Sequence, residues 1–161
     1  MKNFEHLRVL YAEDNDDACV MVSMLLGFAN IDVTAAQTVA EAWRLAQTEY
    51  FDLYLLDSKF PDGSGLELCR QLHDYASHTP ILFYSGNAYQ ADKEKGMAAG
   101  ASDYLTKPYI GDLAATILQT IKHPEKALAK SCDDSFLESQ KKDEVQIFRH
   151  IYENQMQTKR I

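Results

Sequence analysis

Five short apolar runs recur along the first 106 residues, and each has the length of a single buried strand. They lie at 7–12, 31–35, 53–56, 81–84 and 102–105. Between these runs, apolar residues recur every three or four positions, which is typical of helices that pack on a sheet. Because strands alternate with helices over short connections, the pattern predicts a parallel sheet covered by helices on both faces.

Capping signals mark where the intervening helices begin and end. Thr38 and Ser64 each stand three residues before a Glu, the pattern of a capping box, and Gly100 is typical of a helix terminator. Two further helices are expected over 88–99 and over 109–121, the second stopped by Pro124. The first helix is predicted over 17–28, with these residues on its buried face: Val20, Met21, Met24, Leu25 and Phe28.

Five strand–helix units allow few topologies, because crossover connections are right-handed. The strand order 2-1-3-4-5 is a common solution, and it brings the carboxyl ends of the first and third strands together at a switch point. The expected fold class is therefore α/β: a doubly wound, flavodoxin-like, five-stranded parallel sheet in this order, with a C-terminal helical extension.

The last segment differs in kind from the rest of the chain. Ser135 opens another capping-box pattern, and an apolar stripe recurs near helical spacing at Val145, Phe148, Ile151, Tyr152 and Met156. The stripe is too narrow to fold alone. The predicted division is a domain at 1–124 and a helical tail or linker at 125–161, and the stripe is expected to bury in a homodimer rather than on its own domain.

Charge and cysteine content narrow the function classes. The net charge is −8 and lies within residues 1–124, since residues 125–161 carry equal numbers of acidic and basic side chains. This acidity argues against direct nucleic-acid binding. Cys19, Cys69 and Cys132 have no metal or redox spacing and are expected to be reduced, buried thiols. With no signal-peptide or membrane-span pattern, a cytoplasmic protein with no membrane partner is expected.

A polar residue follows each of four predicted strands, so these residues are expected to line one crevice. Three acids in one crevice repel each other, and a divalent cation with oxygen ligands, Mg²⁺ or else Mn²⁺, removes that repulsion. Asp14 and Asp57 are the expected direct ligands, Glu13 binds directly or through water, and the backbone carbonyl of Lys59 adds another ligand. Taken alone, the acidic run after the first strand also fits a solvated loop with helix caps.

The same crevice suits phosphoryl chemistry. A carboxylate beside Mg²⁺ can attack phosphorus and form an acyl phosphate, and Asp57 is the candidate nucleophile. Ser85 offers a hydroxyl donor to a phosphoryl oxygen, and Lys107 offers a point charge that can follow the phosphate. The peptide before Pro108 is a candidate cis bond.

Four motifs in order resemble the receiver domain of bacterial two-component response regulators. They are Glu13-Asp14, the run from Asp57 to Gly65, Ser85-Gly86, and the run from Gly100 to Pro108, and the resemblance covers residues 5–123. It implies that the protein is a phosphoprotein in which Asp57 accepts a phosphoryl group from a sensor histidine kinase or a phosphotransfer protein. It implies that Ser85 and Lys107 report phosphorylation, that Tyr104 is a switch aromatic, and that Lys59 and Asn87 flank the hydrolytic water and tune the acyl-phosphate lifetime.

By this resemblance the protein is a signalling phosphoacceptor and not an enzyme with a separate substrate. The alternatives are an aspartyl phosphohydrolase of the haloacid-dehalogenase type, an FMN carrier and a pseudo-receiver that only binds partners. The phosphohydrolase places an acid where this chain has Lys59. The FMN carrier needs a phosphate loop that is less acidic than the loop after the first strand. The pseudo-receiver does not need the whole site. The signal is expected to pass to a downstream protein partner or to an output domain. A homodimer is also expected, formed either through the face of the fourth helix, fifth strand and fifth helix or through the tail. Whether the chain stands alone or is part of a longer protein stays open.

Overall fold

The computed structural model describes residues 6–87, 89–108 and 112–123. Its centre is a five-stranded parallel sheet in which the strands, numbered along the chain, lie in the order 2-1-3-4-5, so the predicted topology is confirmed. Each strand pairs in register with its neighbours; Val9, for example, lies opposite Val33 on one side and Leu53 on the other. The strands are β1 Leu7–Ala12, β2 Ile31–Ala36, β3 Leu53–Leu56, β4 Ile81–Ser85 and β5 Asp103–Thr106.

Five helices alternate with these strands, and capping side chains fix several of their ends. Thr38 accepts a hydrogen bond from the Glu41 N–H, as a capping box requires. Ser64 accepts instead from the Leu66 N–H, one position earlier than predicted. The fourth helix ends before Gly100, whose φ is +107°. The helices are α1 Asp16–Gly27, α2 Val39–Thr48, α3 Gly65–Tyr75, α4 Gln90–Ala98 and α5 Leu113–Lys122.

Two apolar layers hold the helices on the sheet, because successive strand residues point to opposite faces. Leu10, Leu56 and Phe83 point into the layer that α2 and α3 cover. Tyr11 and Leu55 point into the layer covered by α1 and α5. Strand β3 is fully buried, which explains why it reads as an unbroken apolar run rather than an alternating one.

The predicted buried face of α1 is wrong. Val20, Met24 and Phe28 are 59%, 50% and 65% exposed, and Met21 is only half-buried. Of the five predicted residues, Leu25 alone is buried. The face that packs on the sheet consists of Cys19, Val22, Leu25 and Leu26.

Three further predictions concern the cysteines, membrane-spanning helices and the tail. Cys19 and Cys69 are buried free thiols, and burial raises the pKa of Cys19 to about 11 and of Cys69 to about 12, which keeps both protonated. Within the described ranges, no helix is long and apolar enough to cross a membrane. Cys132 and the tail at 125–161, with its predicted apolar stripe, lie outside the described residues.

Candidate functional site

The carboxyl edge of the sheet gathers the side chains predicted to form the site. The Asp57 N–H donates to the Ala12 carbonyl at 3.0 Å, and the Lys107 N–H donates to the Ser85 carbonyl at 2.8 Å. The hydrogen-bonding ladder therefore continues one residue past β3 and past β5. This extension fixes the backbone under Asp57 and Lys107, and the Lys107–Pro108 peptide is cis.

Three carboxylates meet at this edge. Glu13, Asp14 and Asp57 each offer an oxygen, and these oxygens all lie within 4.8 Å of one another. Glu13 is buried, Asp57 is half-buried and Asp14 is exposed. The structure thus brings together the predicted acids of β1 and β3, as the strand order requires.

Glu13 is the most deeply buried of the three acids and has the most partners. It forms an ion pair with Lys107, and one of its oxygens accepts a hydrogen bond from the Asn15 N–H at 3.1 Å. The Tyr11 hydroxyl donates to its other oxygen at 3.1 Å, and burial together with Glu13 raises the pKa of Tyr11, so this donor stays protonated. Burial alone would raise the pKa of Glu13, but the bonds from Lys107 and Asn15 hold it below its usual value.

Lys107 bridges two of the acids. Its Nζ lies 3.5 Å from Asp57 Oδ2 in addition to its contact with Glu13, and it sits 5.5 Å from the centre of the Tyr84 ring. Burial lowers the pKa of Lys107, but the two carboxylates outweigh burial and raise it. Desolvation and the neighbouring Glu13 raise the pKa of Asp14. One ammonium therefore serves two of three acids, and Asp14 keeps unbalanced negative charge beside it.

This donor set fits a hard divalent cation. Carboxylate oxygens are the ligands that Mg²⁺ takes, and Mg²⁺ keeps several waters, so an exposed carboxylate such as Asp14 is suited to hold it. Asp14 and Asp57 are the residues best placed to bind the ion directly. Glu13 is engaged by Lys107, Tyr11 and Asn15, which favours the predicted contact through water over a direct one. The backbone carbonyl of Lys59 stays a predicted ligand.

A short hairpin folds back against Asp57. Lys59–Phe60 pairs with Gly63–Ser64 in antiparallel fashion, and the Gly65 N–H donates to the Ser58 carbonyl at 3.0 Å. A Cβ on Gly65 would lie 2.0 Å from the Asp57 carbonyl oxygen, so only glycine allows this approach. The Lys59 side chain is exposed.

A cluster of hydroxyl and amide groups lies between Asp57 and Tyr104, and sequence reasoning found only part of it. The Oγ atoms of Ser58 and Ser85 are 2.7 Å apart. The Asn87 side-chain amide donates to Ser58 Oγ at 3.2 Å, and its backbone N–H donates to Ser85 Oγ at 3.3 Å. Ser58 was not predicted as a site residue; its adjacency to Asp57 was the available signal, but the direction of its side chain is not readable from that adjacency.

Tyr104 is buried and stacks on Phe83, with ring centroids 5.3 Å apart. Its hydroxyl donates to the Asn87 carbonyl at 2.9 Å. Burial raises the pKa of Tyr104, and hydrogen bonding with Ser85 acts in the opposite direction. The room for the ring comes from Gly96, where a Cβ would lie 3.0 Å from Tyr104 Cδ2 and 3.1 Å from Phe83 Cδ2. The Tyr104 ring is therefore already buried while Ser85 is hydrogen-bonded to Ser58.

Residues 9–119 match the model of the family described as "Response regulator receiver domain". The chain is 34% identical over 125 residues to the cell cycle response regulator CtrA of Brucella ovis and to that of Brucella abortus, matching 78% of this chain and 54% of each relative. The chain thus spans about half the length of the curated relatives it matches.

Solved structures with the same fold are also receiver domains. The Francisella response regulator 1452 receiver domain superposes with a TM-score of 0.70 at 27% identity, covering 74% of this chain and all of that one. A CheY-like receiver domain protein from Methanospirillum hungatei gives 0.71 at 28% identity, covering 75% of this chain and 98% of that one.

Proposed function

This chain belongs to the family of response regulator receiver domains, and from that membership and its site we propose that the Asp57 carboxylate accepts a phosphoryl group from a phosphohistidine. The family membership places the protein in two-component signalling. The donor is a sensor histidine kinase or a phosphotransfer protein, and the phosphorylated domain signals to a protein partner or an output domain. The domain promotes its own phosphorylation and dephosphorylation and has no separate substrate.

The chemistry follows from the groups around Asp57. An oxygen of Asp57 attacks phosphorus in line with the P–N bond of the phosphohistidine; an O–P bond forms, and the P–N electron pair returns to the imidazole. A bound Mg²⁺ would neutralise charge on the phosphoryl oxygens. Lys107 lies 3.5 Å from Asp57 Oδ2 and can follow the added phosphoryl group as a mobile point charge. Ser85 supplies a hydroxyl that can donate to a phosphoryl oxygen.

One observation carries this proposal: two further carboxylates and one ammonium converge on Asp57, a nucleophile that is only half-buried. Here Asp14 is exposed, and the arrangement combines cation ligands, nucleophile and phosphoryl clamp at one sheet edge.

Labelling by acetyl phosphate tests the proposal. We expect intact-mass spectra to show one added phosphoryl group in millimolar Mg²⁺ and none in EDTA, because the empty acid cluster repels a phosphoryl dianion. Asp57→Asn should abolish labelling, since an amide is not a nucleophile. Asp52→Asn is a matched control, because Asp52 precedes β3 at the opposite end of that strand. Equal labelling in EDTA would contradict the cation assignment, and labelled Asp57→Asn would contradict the acceptor.

The lifetime of the acyl phosphate is proposed to depend on Lys59 and Asn87. The exposed Lys59 side chain follows the acceptor by two residues, and the Asn87 amide hydrogen-bonds next to it, at Ser58. We expect Lys59→Ala and Asn87→Ala to change the dephosphorylation rate of purified phosphoprotein, followed by the decay of the added mass. Unchanged decay in both variants would contradict this role.

A further inference from the structure

We propose that Ser58 is a positioning residue that competes with the phosphoryl group for the hydroxyl of Ser85. The proposal rests on the proposed function, because it concerns how the Ser85 hydroxyl reaches a phosphoryl oxygen on Asp57. It starts from the shortest contact in the hydroxyl cluster, the 2.7 Å between Ser58 Oγ and Ser85 Oγ. That separation is the most common one for an O–H···O hydrogen bond.

The groups around Ser58 hold its side chain toward β4 rather than toward solvent. Its backbone N–H donates to Asp57 Oδ1 at 2.7 Å, which ties its main chain to the acceptor. The Asn87 amide donates to its Oγ at 3.2 Å, so the Ser58 oxygen already has one donor when it meets Ser85. Ser58 therefore bridges the acceptor to Ser85 and Asn87.

Ser85 is 1% exposed, so its hydroxyl depends on protein partners. A hydroxyl has a single proton to donate. In the structure, the contacts of Ser85 Oγ run to Ser58 Oγ, to the Asn87 N–H and to the Tyr104 hydroxyl rather than to Asp57. Either oxygen can be the donor of the Ser58–Ser85 bond. When Ser85 is the donor, giving its single proton to a phosphoryl oxygen requires it to leave Ser58, and that bond is then a cost of activation.

The same cluster connects the competition to the aromatic ring. The Tyr104 hydroxyl donates to the carbonyl of Asn87, the residue whose amide and N–H hold both serine oxygens. Loosening the Ser58–Ser85 bond should therefore change the environments of Asn87 and Tyr104 in the unphosphorylated protein. This gives a readout that is independent of phosphorylation.

Beryllofluoride binding to Asp57 in the presence of Mg²⁺, measured by calorimetry on the full chain, tests the proposal. Ser58→Ala should bind about 3- to 10-fold more tightly than the wild type, the worth of one net hydrogen bond. Ser58→Thr keeps the hydroxyl and should restore wild-type affinity. In a Ser85→Ala background, Ser58→Ala should change affinity by less than about 2-fold, because coupled residues are not additive. Ser23→Ala, a half-buried serine on α1, is the matched control.

Each result decides between roles. Unchanged or weaker binding by Ser58→Ala overturns the competition, as does an equal effect in the Ser85→Ala background. A purely structural role would lower the urea midpoint of Ser58→Ala without changing its affinity for beryllofluoride. A wild type that binds no beryllofluoride would instead overturn the proposed function. A separate measurement needs neither metal nor anion: the Asn87 side-chain amide resonances should shift in Ser58→Ala and return in Ser58→Thr, and constant resonances would overturn the Ser58 hydrogen bonds on which the competition rests.

Discussion

The ion pair between Lys107 and Glu13 places opposite charges at different depths, and this makes its stability contribution sensitive to pH. The Glu13 side chain is 2% exposed and that of Lys107 25%. Lys107→Ala should therefore cost about 2–4 kcal/mol in the free energy of unfolding at pH 8, because it leaves a buried carboxylate without its cation.

The cost should shrink on acidification. In the wild type the lowered pKa of Glu13 gives stability that is present above the ordinary Glu pKa and is lost as pH falls through the lowered value. Without Lys107, burial raises the pKa of Glu13, and the variant is stable below that pKa and loses stability as pH rises through it. Urea unfolding in EDTA at pH 5 and pH 8 measures the difference in unfolding free energy between the wild type and Lys107→Ala. This difference should be larger at pH 8, and introducing Glu13→Gln into both proteins should remove its pH dependence. An equal difference at both pH values would contradict this account.

Gly96, on α4, controls the position of the Tyr104 ring on the next element, β5. A methyl group there would lie 3.0 Å from Tyr104 and 3.1 Å from Phe83, so Gly96→Ala should destabilise the stacked ring position by about 1–3 kcal/mol. We expect nuclear Overhauser contacts between the Tyr104 and Phe83 rings to weaken in Gly96→Ala. Gly27→Ala is a control, since nothing lies within 4 Å of a Cβ at that position. Unchanged ring contacts would show that the neighbours absorb the methyl group.

At the scale of elements, α1 carries an exposed apolar stripe next to a buried one. Leu26→Ala should cost about 2–5 kcal/mol in the free energy of unfolding, because Leu26 is fully buried. Met24→Ala should stay within about 0.5 kcal/mol, because half of Met24 is in solvent. Urea denaturation of the two variants checks this, and a large loss from Met24→Ala would contradict the assignment of the buried face.

The buried face of α1 was predicted wrongly for a definable reason, whereas the order of the strands was predicted correctly. Seven of the nine residues from Val20 to Phe28 are large and apolar, so a 3.6-residue period can be drawn through more than one face. The strands offer no such choice, because β3 and β4 are buried on both sides and any register is apolar. Their order followed from chirality and from the short connections, which leave few topologies.

At the scale of the molecule, cation binding should stabilise the fold. An ion that binds the native state alone adds RT ln(1 + [L]/Kd), about 1.4–2.7 kcal/mol at ten to a hundred times Kd. We expect Mg²⁺ at millimolar concentration to raise the Tm of the wild type and to have a much smaller effect on Asp14→Asn. A wild-type Tm that does not move would contradict the cation site, and an equal rise in Asp14→Asn would remove Asp14 from it.

The site was predictable where it depends on topology and not where it depends on side-chain direction. The predicted site residues lie at the carboxyl ends of four strands of one parallel sheet, so the strand order implied that they meet. They are Glu13, Asp14, Asp57, Ser85 and Lys107. The pairing of Lys107 with Glu13, the turn of Ser58 toward Ser85 and the space at Gly96 depend on rotamers and on packing between distant elements. No periodicity in the sequence encodes those contacts.

The parallel architecture separates the reactive carboxylate from the point where α5 ends. Asp57 lies at the carboxyl edge of the sheet, while α5 follows β5 and runs back along the sheet, so His123 lies toward the amino edge. With ten residues, α5 spans about 15 Å. For protein engineering, a reporter such as a fluorescent protein joined after His123 would start on the far side of the domain and leave the approach to Asp57 open. Attachment ahead of β1 begins at that same far edge, so both flanks of the described domain suit surface immobilisation.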